Sequence, residues 1–132
     1  MTGKRILFLD QDADIRMMAA SRLRAAGYDV VAVSNEKEAL RQALEAKPDL
    51  ALLELGTKME GYETCVQLKS KEETKNIPVL MSTTIARNDW DVKCWRAGAK
   101  AVIVKPFHPQ ELLAMIQKAF DPNSKWRKPE GA

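Results

Sequence analysis

Four short apolar runs stand out along the chain, and each is closed by one polar side chain. Residues 6–9 lead to Asp10, 50–53 to Glu54, 79–82 to Thr83, and 102–104 to Lys105. A continuous apolar run of this length predicts a strand buried on both faces of a sheet. Between these runs the apolar positions change to helical spacing. Ile15, Met18, Ala19, Leu23 and Ala26 share one face of a helix over 13–26, with Asp12 placed to cap its start and Gly27 to close its end. Residues 28–33 read as a second strand. Asn35 and Glu38 predict a capping box for a second helix, whose inward face is Ala39, Leu40, Ala43 and Leu44. A loop over 55–60 leads through Gly61 into a third helix with Tyr62, Cys65 and Leu68 inward. Asn88 predicts the cap of a fourth helix, with Val92 and Trp95 inward and Gly98 at its end. A fifth strand covers 101–104. Pro109 suits the first turn of a last helix, whose stripe is Leu112, Met115, Ile116, Ala119 and Phe120.

Strand and helix therefore alternate five times with short connections. That pattern predicts an α/β fold: a doubly wound, five-stranded parallel sheet with right-handed crossovers and helices on both faces. In the strand order 2-1-3-4-5, the ends of strands one, three, four and five are neighbours. Asp10, Glu54, Thr83 and Lys105 then converge on one cleft at the carboxyl edge of the sheet, where such folds place their sites.

The chain has 132 residues, room for one domain with a real core. After Asp121-Pro122 the composition turns polar, so the domain is set at 1–121 and a basic tail or linker at 122–132, with Lys125, Arg127 and Lys128 as its charges and Trp126 among them. A net charge of +3 with the basic residues spread along the chain gives no evident nucleic-acid surface. Cys65 and Cys94 lack metal-like spacing and read as buried free thiols of a reducing compartment. No apolar stretch approaches the ~20 residues of a membrane span. A cytoplasmic protein is expected.

With these pieces in order, the chain resembles the response-regulator receiver domains, the CheY-like family, over about 4–120. The resemblance rests on Ile-Leu-Phe-Leu-Asp-Gln-Asp at 6–12, Pro-Asp-Leu-Ala-Leu-Leu-Glu at 48–54, Ile-Pro-Val-Leu-Met-Ser-Thr at 77–83, Ala-Gly-Ala at 97–99 and Val-Lys-Pro-Phe at 104–107. It implies two-component signal transduction, in which a histidine kinase phosphorylates an aspartate beside a bound Mg²⁺. It carries the phosphoacceptor position to Glu54, the acidic pocket to Asp10 and Gln11, the switch hydroxyl to Thr83, the phosphate-binding lysine to Lys105 and the carbonyl metal ligand to Gly56.

The departures from the family pattern carry the functional expectation. Glu54 stands for the acceptor aspartate and Gln11 for one metal-binding acid. The loop after Glu54 is one residue short and has Lys58 near the usual proline. Val102 replaces an aromatic switch residue, and Thr84 a small alanine. The extra methylene of Glu54 pushes its carboxylate outward, within reach of Lys105 or Thr83. Two carboxylates and one ammonium leave the site at −1, where three acids and a lysine would give −2, so Mg²⁺ is held less strongly. Asp12 is read as a helix cap rather than a substitute ligand.

The sequence thus predicts a pseudo-receiver that is not an enzyme, carries no cofactor and acts through protein–protein contact. The alternative is an impaired phosphoacceptor with Mg²⁺ on Asp10, Glu54 and Gly56. A flavodoxin-like ligand binder lacks any phosphate-cradling glycine loop. The resemblance implies a partner face on helix four, strand five and the last helix, here with Trp90, Lys100 and Val102. Partners would be signalling proteins, and a homodimer is open. His108, the single histidine, is expected to cap the last helix or lie exposed.

Overall fold

A computed structural model describes residues 3–56, 59–85 and 88–132. Its elements run β1 (Arg5–Leu9), α1 (Ala13–Ala25), β2 (Asp29–Val33), α2 (Glu36–Glu45), β3 (Leu50–Glu54), α3 (Glu60–Lys69), β4 (Val79–Thr83), α4 (Asn88–Ala97), β5 (Ala101–Val104) and α5 (Pro109–Phe120). The five strands form one parallel sheet in the order β2-β1-β3-β4-β5. The register pairs Ile6 with Leu50, Leu52 with Leu80 and Met81 with Val102.

The sheet divides the interior into two apolar layers. On one side Leu7, Leu9, Ala51, Leu53, Val79 and Met81 meet Ala39, Ala43, Cys65, Leu68 and Cys94 from the helices. On the other, Ile6, Phe8, Leu50, Leu52 and Leu80 meet Ala19, Ala20, Leu23, Leu112 and Ile116. Because β1, β3 and β4 are covered on both faces, alternate residues serve alternate layers, and an unbroken apolar run is what that demands. Each fully buried leucine contributes about 1.5–3 kcal/mol.

The caps set where the helices begin. The Asp12 carboxylate accepts from the N–H groups of Asp14 and Ile15 at 2.9 and 3.2 Å. Asn35 accepts from the Glu38 N–H at 2.9 Å. His108 accepts from the Gln110 N–H through Nδ1, while the Glu111 carboxylate accepts from the His108 N–H, both at 3.3 Å. Asn88 opens α4; its expected cap role rests on a side chain outside the described residues, as does Lys58.

Three helices are rotated from their expected settings. The buried face of α1 is Ala19, Ala20 and Leu23, turned toward residue 20, so Met18 is 53% exposed. Ala26 is exposed because the helix has already ended there. In α2 the buried pair is Ala39 and Ala43, and Leu44 lies on the exposed flank. In α4 the inward residues are Trp90, Cys94 and Ala97, spaced i, i+4, i+7; Trp95 is half-buried and turns to a groove on the outer side. Trp95, expected inward, is therefore turned outward, and Trp90, named for the partner face, packs against the core.

At the amino edge Arg5 ties three segments together. Its backbone N–H donates to Asp49 at 2.8 Å, and its guanidinium to Asp29 at 2.7 Å and to the Ala46 carbonyl at 2.5 Å. Beyond α5 the chain turns at Asp121, where Ser124 donates to the Lys118 carbonyl at 2.7 Å. It then runs back over α5, β5 and α4. No helix among the described residues is long and apolar enough to cross a membrane.

Candidate functional site

Parallel register brings the ends of β1, β3, β4 and β5 to one rim. Short backbone bonds continue the ladder past the strands: Leu55 N–H to the Ser82 carbonyl at 2.7 Å, and Lys105 N–H to the Thr83 carbonyl at 2.6 Å. These fix where the terminal side chains project. Asp10, Glu54 and Lys105 come together as one charged group.

Lys105 is its centre. Its ammonium donates to Asp10 Oδ2 at 2.9 Å and to Glu54 Oε2. The Asp10 side chain is fully buried, that of Lys105 is 3% exposed and that of Glu54 14%. The remaining carboxylate oxygens are also occupied. Asp10 Oδ1 accepts from the Asp12 N–H at 2.9 Å, and Glu54 Oε1 from the Gln11 N–H at 2.8 Å. Burial pushes the Asp10 carboxyl above the usual aspartate range, although Lys105 and the Asp12 N–H pull the other way. Burial also works against the Lys105 ammonium, but its bonds to Glu54 and Asp10 outweigh that and hold it above the ordinary lysine value.

The other expected positions fall into two groups. Thr83 is buried beside the cluster but does not meet Glu54; its Oγ1 accepts from the Ile85 N–H at 3.1 Å. Thr84 is exposed. Gln11 is exposed, and it serves the site through its backbone N–H. Gly56 adopts φ +76°, and the Glu60 carboxylate occupies the space where a Cβ would stand. That contact had no signal in the sequence. Gly61 is required for a similar reason: a Cβ there would lie 2.0 Å from the Glu54 carbonyl oxygen. Ser82, paired with Glu54 in the register, has a buried hydroxyl without a hydrogen-bond partner among the described residues. Among those residues, no group of three or more His, Cys, Asp or Glu side chains is placed to hold a metal ion.

Of the expected partner face, Lys100 is exposed and Val102 half-buried, whereas Trp90 packs against the core between α4 and the sheet. His108 is spent on its helix cap.

This sheet order, with acids and a lysine at its carboxyl rim, defines the receiver class, and comparison with known proteins agrees. Residues 6–117 match the response regulator receiver domain family, and the chain belongs to it. It is 38% identical over 120 residues to the phosphate regulon transcriptional regulatory protein PhoB of Pseudomonas aeruginosa, covering 89% of this chain and 52% of that protein. It is 34% identical over 116 residues to the alkaline phosphatase synthesis transcriptional regulatory protein PhoP of Bacillus subtilis, covering 87% and 48%. The chain thus spans about half the length of these relatives. Among solved structures, the chemotaxis protein CheY4 of Vibrio cholerae superposes with a TM-score of 0.85 at 29% identity, covering 90% of this chain and all of that one. The protein is a receiver domain of two-component signal transduction, a class that works through contacts with other signalling proteins.

Proposed function

We propose that this receiver transmits its signal by protein–protein contact without accepting a phosphoryl group, Glu54 standing at the phosphoacceptor position as a permanent carboxylate. The observation that carries this reading is the occupation of Glu54: one oxygen is held by the Lys105 ammonium and the other by the Gln11 N–H. Phosphoryl transfer depends on an in-line nucleophilic oxygen and on cations that neutralise the transferred group. Here the nucleophile would first have to leave Lys105, which is the cation meant for the phosphoryl oxygens.

The donor set also suits magnesium poorly. Mg²⁺ requires near-octahedral oxygen ligands. Asp10 and Glu54 have both oxygens engaged by N–H donors, Gln11 brings no charge, and the Lys105 ammonium lies between the two carboxylates. A divalent ion would have to displace that ammonium or sit beside it. Val102, half-buried on β5, has no ring to swing between two settings. The reading is therefore of a fixed interaction surface on this domain, uncoupled from phosphorylation.

The test is incubation with acetyl phosphate and Mg²⁺, followed by intact-mass measurement. Wild type is expected to remain unmodified. The double variant Glu54→Asp, Gln11→Asp is expected to gain the mass of one phosphoryl group. A hydroxylamine-labile adduct on Glu54 of the wild type would overturn the reading and favour an impaired, magnesium-dependent phosphoacceptor.

A further inference from the structure

The segment after α5 does not project into solvent. Trp126 is half-buried against the layer formed by α1 and α5, and the Lys118 ammonium lies 4.4 Å from the centre of its ring. Farther on, the Arg96 guanidinium donates to the Gly131 carbonyl at 2.7 Å, so the segment reaches from α5 to α4. At its start the turn is fixed by Asn123 N–H and Ser124 Oγ on Asp121 at 2.9 and 2.8 Å. Between segment and domain lies a groove of about 710 Å³, floored by Cys94, Trp95, Val102 and Met115. That volume is within the usual range of ligand sites, roughly 300–1,000 Å³.

The hold is largely apolar, joined among the described residues by the cation–π contact, the guanidinium–carbonyl bond and the Ser124 Oγ bond to the Lys118 carbonyl at 2.7 Å. Charge does not favour it. The domain side of the groove contributes Lys100 and Lys118 against Asp91, and the segment adds Arg127 and Lys128 against Glu130. Along the groove lining each wall carries a surplus of one positive charge, and Arg96 beside it adds another on the domain side, so the domain wall suits an acidic occupant better than this basic segment. An occupant with the same aromatic anchor and acidic flanks would keep the apolar hold and set opposite charge against that wall.

We propose that residues 122–132 form a releasable strap, anchored by Trp126, that covers the α4–β5–α5 groove until a partner segment with an aromatic anchor and acidic flanks displaces it. The seating of the strap stands on its own contacts. Its role as a gate to partners rests on the contact-signalling reading above, so the two are tested separately.

Seating is read by heteronuclear NOE on the full chain. Amides of 123–131 should be as rigid as those of α5 in the wild type, loosen in Trp126→Ala, and loosen partly in Lys118→Ala, while unfolding stays cooperative. Wild-type amides that are already mobile, or a Trp126→Ala chain whose strap stays rigid, would overturn the strap. Gating is read by titrating peptides into the full-length Trp126→Ala chain. The peptide of residues 122–132 should shift amides of α4 and β5. The same peptide carrying Lys125→Glu, Arg127→Glu and Lys128→Glu should bind at least about threefold more tightly at low salt, with the advantage shrinking as salt is added. Equal or weaker binding of the acidic peptide, or no shift from either, would overturn the assignment of the partner even if phosphoryl transfer is shown to be absent.

Discussion

Lys105→Met is the sharpest perturbation the structure offers. Methionine approximates the length of the lysine stem and fills its space, but it leaves the Asp10 and Glu54 carboxylates facing each other without their shared cation. Removing one partner from a buried ion pair costs about 3–5 kcal/mol. The lower end applies here, because the Glu54 side chain is 14% exposed and Asp10, already raised by burial, can take up a proton. With about 2.1 cal/mol/K of unfolding entropy per residue, 132 residues give about 0.28 kcal/mol/K. A loss of about 3 kcal/mol then lowers Tm by about 11 °C. The pH dependence follows from the direction of each shift. The folded state keeps the Lys105 proton to higher pH than the unfolded chain does, so its contribution is complete below the ordinary lysine value of about 10.4 and fades as pH rises past the folded-state value. On the acid side, protonation of Asp10 relieves the variant. The gap between wild type and Lys105→Met is thus widest near neutral pH; it narrows on the acid side as Asp10, raised by burial, takes up its proton, and on the basic side above about pH 10.4. Urea unfolding followed by far-UV circular dichroism measures it, and the slope m should not change. The triple variant Asp10→Asn, Glu54→Gln, Lys105→Met should recover most of the loss, since no buried charge is then unpaired. A single-variant loss below about 1 kcal/mol, the value for an exposed pair, would refute the claim that these three groups form a buried unit.

Other expectations follow from individual contacts. Asp12→Ala should cost about 1 kcal/mol in urea unfolding and Asp12→Ser much less, because the carboxylate caps α1. Gly61→Ala should destabilise by about 1–3 kcal/mol or more, since its Cβ would meet the Glu54 carbonyl oxygen rather than a movable side chain. Ser82→Ala should be neutral or stabilising by chemical denaturation, because it removes a buried hydroxyl that lacks a partner among the described residues. Cys65 and Cys94, pushed by burial up to about 11 and about 12, should react with a disulfide reagent at pH 8 at least about a hundredfold more slowly in the folded protein than in urea.

The strands were the most legible part of the sequence, because burial on both faces leaves little choice but Leu, Val, Ile and Phe. The helix starts at Asp12, Asn35 and Pro109 were legible for a local reason: a cap bonds within its own few residues. What escaped was decided by distant neighbours. The apolar faces of α1, α2 and α4 are broad enough to allow several rotations, and the sheet selects the one that hides Cys94 while turning Trp95 outward. At the rim, the spacing placed Glu54 near Lys105. It could not show that Asp10 shares the ammonium, or that Gln11 contributes its backbone while its amide stays outside. The Glu60 carboxylate over Gly56 and the return of Trp126 across α5 are likewise tertiary contacts without a local pattern.

The two rims of the sheet are fastened unequally. At the amino edge Arg5 and Asp29 are 44% and 57% exposed and form a pair of the kind that contributes little; at the opposite edge the lysine is almost sealed. Gentle warming should therefore fray the molecule from the Arg5 end, with amide hydrogens near Arg5 and Asp29 exchanging through small openings. Those beside Lys105 should wait for the whole domain to come apart.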